Sequence, residues 1–81
     1  MNYTFVITAT VENDLAALQR MASLMQRNRL KMQQINVIGF DHVSHISLAL
    51  CTDEETMEKL FKQLNKLVDL SDLKVTHKTR S

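Results

Sequence analysis

The sequence predicts an α+β domain in which a four-stranded antiparallel sheet carries two helices on one face. Three observations lead there. The hydrophobic period alternates between two and about 3.6 in the order strand, helix, strand, strand, helix, strand. Every helical segment has one apolar stripe, and every strand has one strongly apolar side. The 81 residues include no proline, low-complexity run or linker, so 1–81 reads as one continuous domain.

The elements follow in order. Residues 3–11, YTFVITATV, alternate Tyr3, Phe5, Ile7, Ala9 and Val11 against Thr4, Val6, Thr8 and Thr10. That period of two, rich in β-branched residues, predicts a strand with one well-buried face. Asn13 or Asp14 can cap the helix that follows by accepting from its first free N–H groups. Leu15, Leu18, Ala22 and Met25, with Met21 beside them, make its apolar stripe, and Gln19, Arg20, Ser23, Gln26 and Arg27 its polar side. Asn28 is expected to end it in a left-handed conformation.

A second strand is expected over Lys31–Ile38, with Ile35 and Val37 on one face and Gln34, Asn36 and Ile38 on the other. Gly39 with Asp41 and His42 should form the turn into a third strand, Val43–Cys51, whose Ile46, Leu48 and Leu50 alternate with His45, Ser47, Ala49 and Cys51. Thr52 and Glu55 have the spacing of a capping box for a second helix. Its stripe runs through Met57, Leu60, Phe61, Leu64, Leu67 and Val68. A short strand through Leu73 and Val75 closes the pattern. The βαββαβ order with right-handed crossovers gives a ferredoxin-like sheet of spatial order 4-1-3-2, with the second strand on an edge. That edge has neither proline nor a run of charge to blunt it.

Size and composition narrow the function. A domain of this length buries only about 60–65% of its unfolded surface and needs support. Cys51 is the single cysteine, so no internal disulfide forms, and no Cys/His spacing suits zinc. A partner chain is the remaining support. Net charge is +1 without a basic block, and the sheet's outer face offers Thr4, Val6, Thr8, His45, Ser47 and Ala49 rather than stacking aromatics, so nucleic acid is not expected. No apolar run reaches the ~20 residues that span a bilayer, and the first residues lack the shape of a signal peptide. With a lone thiol, this leads us to expect the cytoplasm. The carboxylates fall at helix starts, outward helix positions and turns, and His42 and His45 lack a third ligand nearby, so neither acid–base catalysis nor a metal site is expected.

Two segments carry a resemblance. ALQRMASLMQRNRLKMQQINV resembles the helix-to-strand segment of ACT domains, and FKQLNKLVDLSDLKV is similar to the second helix and last strand of acetohydroxyacid (acetolactate) synthase small subunits. The resemblance implies a non-catalytic regulatory subunit that activates a large catalytic chain in branched-chain amino-acid synthesis. It implies no cofactor in this chain; thiamine diphosphate, Mg²⁺ and FAD are expected on the catalytic partner. It also implies a homodimer through the first helix and second strand. Ending at Ser81, the chain looks most like the short, valine-insensitive isozyme II type. In valine-sensitive relatives the effector site uses an asparagine and a glycine after the first strand and an asparagine opening the second. These positions fall on Asn13, Ala16 and Lys31. Only Asn13 matches, so Asn13, Asp14, Leu15, Ala16 and Lys31 form a degenerate effector site. The alternative reading is a stand-alone ACT-domain sensor that binds an amino acid at a homodimer interface.

Overall fold

A computed structural model, which describes residues 2–12 and 15–80, has the six expected elements in the expected order. They are β1 (Tyr3–Glu12), α1 (Leu15–Arg27), β2 (Lys31–Phe40), β3 (Val43–Thr52), α2 (Glu54–Asn65) and β4 (Leu70–Arg80). The antiparallel sheet runs β2-β3-β1-β4, which is the predicted topology. β1 and β3 lie at its centre and alternate as read: Phe5, Ile7, Ala9 and Val11 of β1, with Ile46, Leu48 and Leu50 of β3, are buried beneath the helices. Met21 and Met25 of α1 and Met57, Leu60 and Leu64 of α2 complete one contiguous core.

The helix boundaries differ from the sequence reading in instructive ways. The cap expected from Asn13 or Asp14 lies outside the described residues. At the other end of α1 the left-handed residue is Arg29 (φ 54°), not Asn28. Arg29 N–H donates to the Gln26 carbonyl (3.0 Å) and Leu30 N–H to the Met25 carbonyl (3.1 Å), the bond pair of a Schellman motif. That motif folds Leu30 back onto the core. Asn28 instead uses its amide, donating to the Leu24 carbonyl and to Gln63 Oε1 of α2. The N-cap of α2 is Asp53 rather than Thr52: its carboxylate accepts from Thr56 N–H at 2.9 Å, and this bond holds it below the usual carboxylate range.

The stripe of α1 is also turned. Ala17, Met21 and Met25 are buried, while Leu15 and Ala22 are exposed. α2 ends at Asn65, so Val68 stands outside it and is 94% exposed. Gly39 lies within β2 with no positive φ, and the turn is made by Asp41 (φ 47°) and His42 alone. β4 is longer than expected and bulged in two places against β1. One shift falls where Lys74 pairs with Thr8 and Ser71 with Thr10, which lets Leu70, Leu73 and Val75 all serve the helix side. Cys51 is half-buried near the end of β3.

Candidate functional site

An apolar groove lies between α1 and the β2 edge. α1 has more apolar arc than the sheet beneath it can cover. Ala17, Met21 and Met25 face the core, and Leu15, Leu18 and Ala22 continue the stripe sideways over β2. A bulge supplies the other wall. The β2–β3 register shifts between Met32 and Gln34, so Met32 pairs with Leu50 and Ile35 with Leu48, and both lie on the helix side with Val37. A strict period of two would have put Met32 on the opposite face. The groove has a volume of about 280 Å³. Its walls are left open to solvent: Leu15 is 77% exposed, Ile35 49% and Val37 47%. Beside it run the unpaired N–H and C=O groups of an edge strand whose side chains are exposed from Lys31 to Gly39.

The opposite edge is blunted. β4 is interrupted by its two bulges and by Asp72 at positive φ (53°), and it carries Lys74, Lys78 and Arg80. Lys78 is tied inward: its ammonium lies 3.0 Å from Glu54 and 4.6 Å from the centre of the Tyr3 ring. The hydrogen bond and charge of Lys78 hold the Glu54 carboxyl below its ordinary value. Of the two sheet edges, β2 is therefore the less protected.

The face of the sheet away from the helices forms a second concavity, about 420 Å³, lined by Thr8, Thr10, Asn36, Ile38, His45, Ser47, Asp72 and Lys74. Thr10 Oγ1 and His45 Nδ1 lie 3.2 Å apart across the β1–β3 pair. A third hollow lies on the outer side of α1, beside the Arg20–Asp69 ion pair and Arg27. Among the described residues no cluster of three His, Cys, Asp or Glu side chains could hold a metal ion. No described helix is long and apolar enough to cross a membrane.

The effector residues named from sequence do not converge within one chain. Asn13 and Asp14 lie outside the described residues. Leu15 lines the α1–β2 groove, whereas Ala16, the next residue, lines the hollow on the outer side of α1. Lys31 pairs with Cys51, which pairs in turn with Thr4. Leu15 follows the other end of β1, where Glu12 pairs with Val43. The intervening length of β1 is roughly 26 Å at ~3.3 Å per residue. Lys31 and the α1 corner are thus at opposite ends of the domain. Sequence reasoning missed the wall made by Met32 and the sideways extension of the α1 stripe. The signal was available in α1, whose apolar residues span more arc than one buried face requires.

No family model matches the sequence. The chain is 32% identical over 69 residues to a "Probable acetolactate synthase small subunit" of Methanothermobacter thermautotrophicus, a match that covers 83% of this chain. The chain spans about two fifths (41%) of that relative's length. Among solved structures, the acetolactate synthase small subunit of Thermotoga maritima superposes with a TM-score of 0.74 at 22% identity, covering 89% of this chain and 46% of that one. The ACT domain of a GTP pyrophosphokinase from Chlorobium tepidum superposes with a TM-score of 0.79 at 10% identity, covering 93% and 99% of the two chains. This chain therefore has the ferredoxin-like fold of ACT domains, and its sequence is similar to part of an acetolactate synthase small subunit.

Proposed function

We propose that this chain is a regulatory small subunit of acetohydroxyacid synthase, of a valine-insensitive type, acting in branched-chain amino-acid synthesis in the cytoplasm. The observation that carries the proposal is the 32% identity over 69 residues to the Methanothermobacter protein. Thiamine diphosphate, Mg²⁺ and FAD belong to the large catalytic chain, and this chain supplies no reacting group. It activates by binding the productive conformation of that chain more tightly than other conformations, and ~1.4 kcal/mol of preference shifts the ratio tenfold.

Two copies pair through α1 and β2. The support is the coincidence of an open apolar groove with an unblunted strand edge. Antiparallel β2–β2 pairing would carry Lys31 of one copy toward the other copy's α1 corner. The effector position would then be completed only between chains. There Ala16 adds a Cβ where relatives have glycine, and Lys31 puts a cation where they have an amide, so valine binds weakly or not at all.

The test is co-expression with the thiamine-diphosphate-dependent chain, followed by co-purification and measurement of acetolactate formation with and without this protein. A complex with a raised rate is the expected result. A catalytic chain that neither binds this protein nor changes rate would refute the reading. An amino acid that binds this protein tightly in the absence of any catalytic chain would favour the stand-alone sensor. For the effector position, calorimetry should detect no tight valine binding to the unaltered chain, and Ala16→Gly with Lys31→Asn should create it.

A further inference from the structure

Resting on the reading that two copies pair through β2, we infer that Lys31 of each copy forms an ion pair with Asp41 of the other, and that these contacts set the register of the paired strands. Charge is polarised along the β2 edge. Arg29 and Lys31 stand exposed where the strand begins, and Asp41 stands exposed where it ends, in the turn to β3. Among the described residues, neither Lys31 nor Asp41 has an ion pair within its own chain. An edge with cations at its start and an acid at its end complements a second copy running antiparallel and repels one running parallel.

Backbone geometry decides which residues meet. The two-residue turn Asp41–His42 makes Phe40 and Val43 a hydrogen-bonded pair. Alternation then turns the N–H and C=O groups of Phe40, Ile38 and Asn36 toward β3 and leaves those of Gly39, Val37 and Ile35 facing outward. The outward groups therefore belong to the same residues whose side chains, Ile35 and Val37, line the groove.

Charge then selects among the registers. Centred on Asn36, two antiparallel strands join Ile35 to Val37 in both directions. The bulge between Met32 and Gln34 takes up one residue, so Lys31 falls opposite Phe40 and beside Asp41 of the other copy. Centred on Val37, Lys31 falls level with the tip of the turn, again beside Asp41. Centred on Ile35, it falls opposite Ile38, roughly 10 Å short of Asp41 at ~3.3 Å per residue. A centre at Asn36 or Val37 is thus the one that joins the charges and the apolar side chains together. The same contacts commit Lys31 to a carboxylate of the other copy, which leaves it no free charge for the carboxylate of an effector.

The test is sedimentation equilibrium of the whole chain and of charge-reversed variants, with circular dichroism to check each fold. Lys31→Asp and Asp41→Lys should each raise the dissociation constant of the pair roughly tenfold or more, because like charges then meet at both ends. Mixing the two variants should restore pairing as a heterodimer, to within about threefold of the unaltered chain, because opposite charges meet again at both ends. Asp41→Asn suits the positive φ of 47° and should weaken pairing about threefold, so it serves where lysine strains the turn. Variants that pair like the unaltered chain, or a mixture no tighter than either variant alone, would overturn the ion pairs. An unaltered chain that stays monomeric would remove the pairing through β2 and this inference together, whereas an intact pair indifferent to Lys31 and Asp41 removes this inference alone.

Discussion

Replacing Ile35 with alanine should weaken the proposed pairing of two copies without unfolding either one. Ile35 is 49% exposed in the single chain, so about half of its side chain remains to be buried by a second copy. Complete burial of an isoleucine is worth about 1.5–3 kcal/mol, which leaves roughly 1 kcal/mol for the contact between copies. A two-fold pair loses that contact twice, about 2 kcal/mol, or about a 30-fold rise in dissociation constant. Ile35→Lys should weaken pairing further, because it also brings an ammonium group between Met32 and Val37 at the edge. Sedimentation equilibrium gives the constant, and far-UV circular dichroism checks that the monomer keeps its fold. Val68→Ala, altering a side chain 94% exposed and outside the groove, is the control and should shift the constant less than twofold. Unaltered self-association of Ile35→Lys, or equal effects of the Ile35 and Val68 changes, would refute the assignment of this edge.

Three predictions concern the domain itself, measured at one fixed protein concentration. Leu60 is fully buried in α2 against the sheet, so Leu60→Ala should cost ~3 kcal/mol and lower the urea midpoint by roughly 2–3 M; a loss below ~1 kcal/mol would contradict the core described. Arg29→Gly should stabilise by about 0.5–1 kcal/mol, since it relieves ~1–2 kcal/mol of left-handed strain at φ 54° against a smaller entropy cost of glycine; a net loss would refute the helix stop. Asp53 has a folded pKa depressed below its ordinary value of 3.8 by the Thr56 N–H, so its contribution is present above that value and fades as pH falls through the folded pKa. Melting temperatures should therefore drop more steeply below about pH 4 for the unaltered chain than for Asp53→Asn, and parallel curves would count against the cap.

Sequence and structure agree where burial enforces a simple period. β1 and β3 are paired on both sides and face the helices, so Phe5 to Val11 and Ile46 to Leu50 alternate cleanly and their placement was legible. The edge strands follow no such rule. The β2–β3 register shift moves Met32 to the side of Ile35, and a β4 bulge brings Leu70 to the side of Leu73 and Val75, which no period of two anticipates. Helix ends shifted by one residue for local reasons. Thr52 and Asp53 can both cap, and only the backbone geometry decides for Asp53. Asn28 tolerates positive φ better than arginine, yet the bonds that bring Leu30 to the core place the left-handed residue at Arg29. The groove was half legible: β2 read as an unprotected edge, but the overhang of Leu15, Leu18 and Ala22 depends on how α1 is rotated over the sheet. The effector corner was the least legible, because sequence could not show that Lys31 and Leu15 stand at opposite ends of one chain.

The central claim is that this domain works by binding a catalytic chain. Its most direct measurement is a titration of this protein into the purified thiamine-diphosphate-dependent chain with acetolactate formation followed at each step. The account predicts a rate that rises and saturates, with the same saturation point reproduced by calorimetry in the absence of substrate. A flat rate together with no heat of binding would contradict it.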